Sequence, residues 1–445
     1  MPRSKPAAPT ASLSVLDGVA MLVGVVIGVG IFKTPSLVAA NVGSEAAFIG
    51  VWLLGGVITL VGALCYAELG SAHPSAGGEY HYLSRAYGQP VGLLFAWARG
   101  TVIQTGAIAA VGFVYGDYAS NLIPLGPYSS AIHAAIALVA LTAVNLIGTP
   151  QSKRTQVLLT ALTVAALLIV IIAGFSRGNA APAAASTSTP PLGALGLAMV
   201  FVLLTYGGWN EAAYLTGELK DVRRNIAKTL LFGTATVMAA YLLANLAYLS
   251  AFGLEGLRKS NAVGADLMRL VAGDAGAVVL SLIVCVCALS TLNATIFTGA
   301  RVYYALGRDL SAIKMLGVWD ARGHEPANAL LLQGAIALLL IAFGATTREG
   351  FEAMVAYTAP VFWFFLLLVA ISIFVFRRRD PKALRYRMPL YPLPPILLGA
   401  AAAWMVYSSL AYAGIGAIIG VMVLLAGTPL LLVARRRARA SRPSK

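Results

Sequence analysis

Charge is nearly absent from long tracts of this chain. Apolar runs of roughly twenty residues or more alternate with short basic clusters. A hydrocarbon core about 30 Å thick needs about twenty apolar residues per helix, and inside it only a helix or a closed barrel satisfies its own backbone. The runs are too long for barrel strands, so the chain reads as an all-α polytopic membrane protein. Composition agrees, at 59% hydrophobic and 11% charged residues with a mean hydropathy of +0.81. We delimit twelve spans, at 15–40, 44–70, 88–116, 128–148, 154–175, 192–218, 226–252, 273–303, 327–345, 351–376, 391–411 and 414–434. The stretch 178–191, rich in Ala, Ser, Thr and Pro, reads as a surface loop.

Lys and Arg set the orientation. With the N-terminus inside, the inner segments hold 25 of the 32 basic residues and the outer ones hold six, with Arg99 inside a span. An even number of spans and cytoplasmic ends for both the 1–14 and the 435–445 tails follow as expectations. The same asymmetry accounts for the net charge of +15 without a nucleic-acid partner. No cleavable signal peptide is expected. Cys65, Cys285 and Cys287 lie in apolar runs, and the four histidines lack metal-ligand spacing. No cofactor or structural metal is expected.

Two spans are interrupted. The first carries Gly24-Val-Val-Ile-Gly-Val-Gly-Ile-Phe32 and then Pro35; the sixth carries Thr205-Tyr-Gly-Gly-Trp-Asn-Glu211. Unwound backbone at membrane depth is tolerated only where it lines a cavity or lies inside protein. Paired breaks at the start of two halves point to an inverted-repeat transporter with its site at the midplane. The halves would be 15–175 and 192–376, with 391–434 added.

Four stretches carry a family resemblance: the first break; Tyr66-Ala-Glu-Leu-Gly70 with Pro74 and Gly77-Gly-Glu-Tyr80; Tyr206-Gly-Gly-Trp-Asn210 with Glu218, Asp221 and Asn225; and Arg301-Val-Tyr-Tyr-Ala-Leu-Gly-Arg-Asp309. Together they resemble the amino acid–polyamine–organocation (APC) transporters, close to the L-amino-acid branch. The resemblance implies a LeuT-type 5+5 inverted repeat with helices 1 and 6 broken, in the cytoplasmic membrane. It also implies a substrate carboxylate on backbone N–H groups around Val29, Gly30 and Ile31. The α-amino group would meet carbonyls of Val26 or Ile27 and of Leu204, Thr205 and Gly207, beside Tyr206. Opposed helix-break dipoles suit a zwitterion on physical grounds as well. Two departures stand out: Leu204 where the family often has an aromatic gate, and Thr163 where many members carry Lys. A partner subunit is not implied.

Charges inside spans are costly and count as functional candidates. Glu211 and Arg99 are read as pathway residues, as a candidate pair; Glu68 is read as interfacial and structural, and protons carried by Glu68 or Glu211 are the alternative to sodium coupling or uncoupled exchange. Gln104 is a candidate substrate contact. Thr163, Ser290 and Thr291 with carbonyls near Gly24 form a candidate sodium site. Proton coupling through Thr163 is excluded. The expected cargo is a neutral amino acid; a cationic amino acid or polyamine held by Glu211 is the alternative. An enzyme lacks a nucleophile or metal cluster here, a channel lacks a filter motif, and no phosphate-binding loop is present to drive a pump.

Overall fold

The computed structural model describes residues 14–429 apart from 74–77, 148–152, 178–191, 211–218, 310, 319–325, 348, 381–385 and 413. The described residues form helices and their connections. The surface-loop reading of 178–191, the sixth-span residue Glu211 and both tails beyond residues 14 and 429 lie outside the described set.

The first span is two helices. Helix α1 (Val15–Val26) starts at a capping box in which the Ser14 hydroxyl accepts from the Asp17 N–H and the Asp17 carboxylate accepts from Ser14. It ends at Ile27, and a 3-10 turn (Val29–Phe32) leads through Lys33 into α2 (Thr34–Ala40), with Pro35 in its first turn. Then follow α3 (Glu45–Ala72), the short amphipathic α4 (Gly78–Tyr87), and α5 (Gln89–Ala98), which continues through a π-helical turn (Arg99–Gln104) into α6 (Thr105–Leu122). Helices α7 (Ser129–Ile147) and α8 (Lys153–Ser176) complete the first half.

The second half opens with α9 (Leu192–Thr205), which stops where the sequence predicts the second break. Helices α10 (Val222–Arg258) and α11 (Val263–Asp309) are kinked, at Gly253 and at Ala272–Gly273. Next come α12 (Ala327–Ala345), α13 (Gly350–Arg379), α14 (Leu393–Tyr412) and α15 (Ile415–Ala426). Among the described residues nine helices are long and apolar enough to cross a membrane. Three shorter apolar helices, Val15–Val26, Gly193–Thr205 and Ile415–Ala426, fall in the first, sixth and twelfth predicted spans.

One continuous core joins both halves. Helix α10 packs on α3 and α1; α11 packs on α6 and α8; α9 packs on α2, α3 and α14. Small residues allow the close crossings, as expected where helices meet in an apolar medium. A Cβ on Gly24 would lie 2.5 Å from the Thr160 methyl of α8, so Gly24 is a packing glycine. Trp52 is fully buried between Phe48, Tyr206 and Tyr241.

Candidate functional site

The two breaks touch. Thr34, at the start of α2, and Thr205, the last residue of α9, bring their hydroxyl oxygens to 2.7 Å in a buried contact. Each hydroxyl also lies within hydrogen-bonding distance of a carbonyl on its own segment, Gly30 O at 3.0 Å for Thr34 and Phe201 O at 2.8 Å for Thr205. Gly208 holds φ +102°, a conformation that favours glycine, and its backbone lies against Val25 of α1. This positive φ turns the chain out of α9. The flanking Gly207 N–H bonds back to Leu204 O at 2.9 Å, and Tyr206 N–H to Val202 O.

Gly28 and Gly30 differ from Gly24. A Cβ on Gly28 would have only Val26 O at 3.9 Å near it, and one on Gly30 would meet Thr205 at an ordinary 3.5 Å. Neither residue holds a positive φ. Packing and backbone conformation thus leave room beside this backbone. The N–H groups of Val29 and Gly30 open the 3-10 turn and precede its i→i+3 bonds. Val29 and Ile31 are buried, as is Ile27.

Other predicted contacts fall differently. The Val26 carbonyl accepts from the Gly28 N–H at 2.7 Å and from the Tyr241 hydroxyl at 2.8 Å. It is already doubly satisfied, which leaves Ile27 as the carbonyl of that pair for an ammonium. The Tyr206 ring is fully buried in the Trp52–Tyr241 cluster, with its hydroxyl 3.3 Å from Trp52 O, so only its backbone faces the break. Leu204 is 41% exposed.

Arg99 and Gln104 are the first and last residues of the π-helical turn, a local widening frequent at functional sites. Within the described residues Arg99 forms an ion pair with Glu79 at 3.1 Å; Glu211, its candidate partner, lies outside them. Glu79, 5% exposed, also accepts from the Tyr66 hydroxyl at 2.9 Å and from the Asn210 amide at 2.8 Å. It ties α4 to α3, to the widened third span and to the second break. A cavity of about 60 Å³ lies beside it, lined by Arg99, Gln104, Asn210 and Phe362 among others. The Gln104 amide reaches across to Thr295 O and the Thr298 hydroxyl of α11.

Glu68 is fully buried. Its two oxygens take a bidentate grip on Arg377 at 2.7 and 2.6 Å, and the Met388 N–H adds a third bond at 2.7 Å. Three charge-assisted bonds make it a brace between α3, α13 and the segment after α13. Thr163 donates to Leu159 O, and the Cys287 thiol lies against its hydroxyl. Thr291 donates to Cys287 O. Ser290 is half-buried on the same helix. Gly24 abuts Thr160, three residues before Thr163.

Reading the sequence alone misses Glu79, Gly208, Thr34, Tyr241 and, most of all, Lys33. Lys33 sits between Phe32 and Pro35, inside the apolar run, and a charge so placed is itself a signal. It is 2% exposed and bonded to Asp117.

A first span split between α1 and α2, meeting the end of α9 among long apolar helices, fits a polytopic membrane protein. Comparison with known proteins makes the class specific. A profile of the amino acid permease family matches residues 13–433, and the chain belongs to that family, within the APC superfamily. It is similar to the b(0,+)-type amino acid transporter 1 of Homo sapiens, 31% identical over 374 residues, 82% of this chain and 76% of that protein. It is 26% identical over 429 residues to the serine/threonine exchanger SteT of Bacillus subtilis (strain 168), 96% of this chain and 97% of that one. The large neutral amino acids transporter small subunit 2 of Rattus norvegicus is 29% identical over 431 residues, 94% of this chain and 80% of its own length. The chain is an amino acid transporter of the membrane and not an enzyme.

Proposed function

We propose that this chain carries neutral L-amino acids across the cytoplasmic membrane by alternating access, as an exchanger or facilitated carrier, with twelve spans, a LeuT-type 5+5 repeat and both ends cytoplasmic. The observation that carries the reading is the junction of the two breaks at Thr34 and Thr205, with room beside Gly28 and Gly30. The substrate carboxylate would take the N–H groups of Val29, Gly30 and Ile31. The ammonium would take the carbonyls of Ile27, Leu204, Thr205 or Gly207. No charged side chain lies in either half of this junction between Ile27 and Phe32 or between Leu204 and Asn210, which favours a neutral cargo. A relative named as a serine/threonine exchanger spans nearly the whole chain and supports both the substrate class and exchange.

The candidate sodium set of Gly24, Thr163, Ser290 and Thr291 contains no carboxylate, and hydroxyls alone make a weak site for a hard cation. Glu68 is held by Arg377 and Met388, which weighs against its carrying protons. Exchange is therefore favoured over ion-driven accumulation. The test is counterflow in liposomes loaded in turn with serine, leucine and lysine, with sodium and pH gradients imposed separately. Expected is saturable, stereoselective exchange of neutral substrates that neither gradient drives. Preference for lysine over serine and leucine would overturn the substrate class. Strong sodium-driven accumulation that Thr163→Ala abolishes would overturn the mode.

A further inference from the structure

Lys33 is the one lysine of the first span, and its side chain is 3% exposed. A buried ammonium without a partner costs several kcal/mol, so its partners must be built in. Asp117, in the last third of α6, supplies one oxygen at 2.9 Å; the Asn261 carbonyl, between α10 and α11, supplies another at 3.2 Å. Glu349, just before α13, stands further off at 3.8 Å and is 44% exposed. Asp117 is itself aimed by the Ser130 hydroxyl of α7 at 2.7 Å.

The neighbouring residues Phe32 and Tyr118 repeat the link. The Tyr118 hydroxyl donates to Phe32 O at 2.7 Å and accepts from the Gly264 N–H at 3.2 Å. Phe32 and Tyr118 are both fully buried. Thus two adjacent residues of the first span are pinned by two adjacent residues of α6 and by the 261–264 segment. A polar cavity of about 410 Å³ lies against this contact, lined by Lys33, Asp117, Asn261, Asp266 and Glu349 among others. Phe32 ends the 3-10 turn of the first break, and Lys33 joins it to α2, which carries Thr34.

We infer that the Lys33–Asp117 ion pair is the latch that closes the protein on this side, holding the half-helix after the first break against α6, and that Lys33 is a positioning residue for transport rather than a substrate contact. The inference rests on the alternating-access reading. Substrate entering from this face must part the half-helix from α6, and with it Lys33 from Asp117. Opening hydrates both charges, so the pair separates without leaving a bare ion in an apolar core. Glu349, more distant and more exposed, contributes less.

Two experiments in liposomes test this, with exchange by the wild type as the reference. In a variant lacking Cys65, Cys285 and Cys287, cysteines at positions 33 and 117 are bridged by a bifunctional thiol reagent as long as the native side-chain pair. The cross-linked protein is expected to lose exchange and to regain it when the reagent is cleaved. Separately, Lys33→Met and Asp117→Asn are expected to lower the half-saturation concentration on the Lys33 face about fivefold, as the open fraction rises from about a tenth to about half. The opposite face should show no such gain. Glu349→Gln should change it less than Asp117→Asn does. A protein that exchanges while cross-linked, positions that the reagent cannot bridge, or half-saturation values that shift equally on both faces would each overturn the latch. A wild type that exchanges no amino acid would overturn the transport reading, and the latch with it.

Discussion

Gly30→Ala separates a glycine kept for packing from one kept for a ligand. The added Cβ would meet Thr205 at 3.5 Å, ordinary contact, and Gly30 holds no positive φ. The folded protein therefore accepts the methyl. Restricting the unfolded chain should even stabilise it, by about 0.4–1 kcal/mol. In the proposed pose the same methyl enters the space a carboxylate needs to reach the Val29 and Gly30 N–H groups. Loss of one hydrogen bond to a charged group is worth about 1.5–3 kcal/mol, or roughly 10- to 150-fold in affinity. Thermal unfolding in detergent and exchange in liposomes, measured on one preparation, read the two effects apart. Unchanged or improved thermal stability with at least a tenfold loss of apparent affinity is expected. Gly30→Val, bulkier and β-branched, should abolish exchange. Normal exchange by both variants would place the substrate elsewhere, and a loss of stability that matched the loss of exchange would make Gly30 a packing residue like Gly24.

Gly208→Ala should behave in the opposite way, because it must hold φ +102° with its Cβ 3.3 Å from Val25; thermal unfolding should reveal a cost of about 1–2 kcal/mol from the left-handed backbone alone, and wild-type stability would show that the turn can relax. Glu79→Gln and Arg99→Met should each lower stability by more than half of what the double variant loses, since the two charges share one ion pair; strict additivity in the thermal shifts would mean that the pair is not coupled. Burial and the nearby Arg85 hold the His73 imidazole below its usual 6.5, outweighing Asp380. The unfolded chain then binds the proton more readily, so this contribution to stability is present above about pH 6.5 and lost as pH falls below it. His73→Phe, which keeps the ring against Phe376, should flatten the fall in melting temperature between pH 7 and 5.5.

The positions of the two breaks were legible because Gly and Pro interrupt apolar runs where helices otherwise continue. Helix α1 ends at Val26 and α9 at Thr205, both inside the predicted motifs. Which glycine does what was not legible. Gly24 packs, Gly208 turns the chain, and Gly28 and Gly30 leave room, and only three-dimensional neighbours distinguish them. Ion pairs were legible as charges but not as partners. Glu68 finds Arg377 more than three hundred residues away, and Arg99 finds Glu79 on a helix that lies between two spans. Lys33 reads from the sequence as a single charge near a helix end; its burial depends on Asp117 and Asn261, which no local pattern announces.

The contact between Thr34 and Thr205 has an arithmetic of its own. Two hydroxyls carry two hydrogens, yet three acceptors lie within reach: the opposite hydroxyl, Gly30 O and Phe201 O. If the hydroxyls bond to each other, one carbonyl forgoes its side-chain donor; if both carbonyls are served, two oxygens face each other at 2.7 Å with no hydrogen between them. The junction is one proton short in every arrangement. An ammonium group arriving there brings three donors to a place that lacks one, whereas a carboxylate brings none.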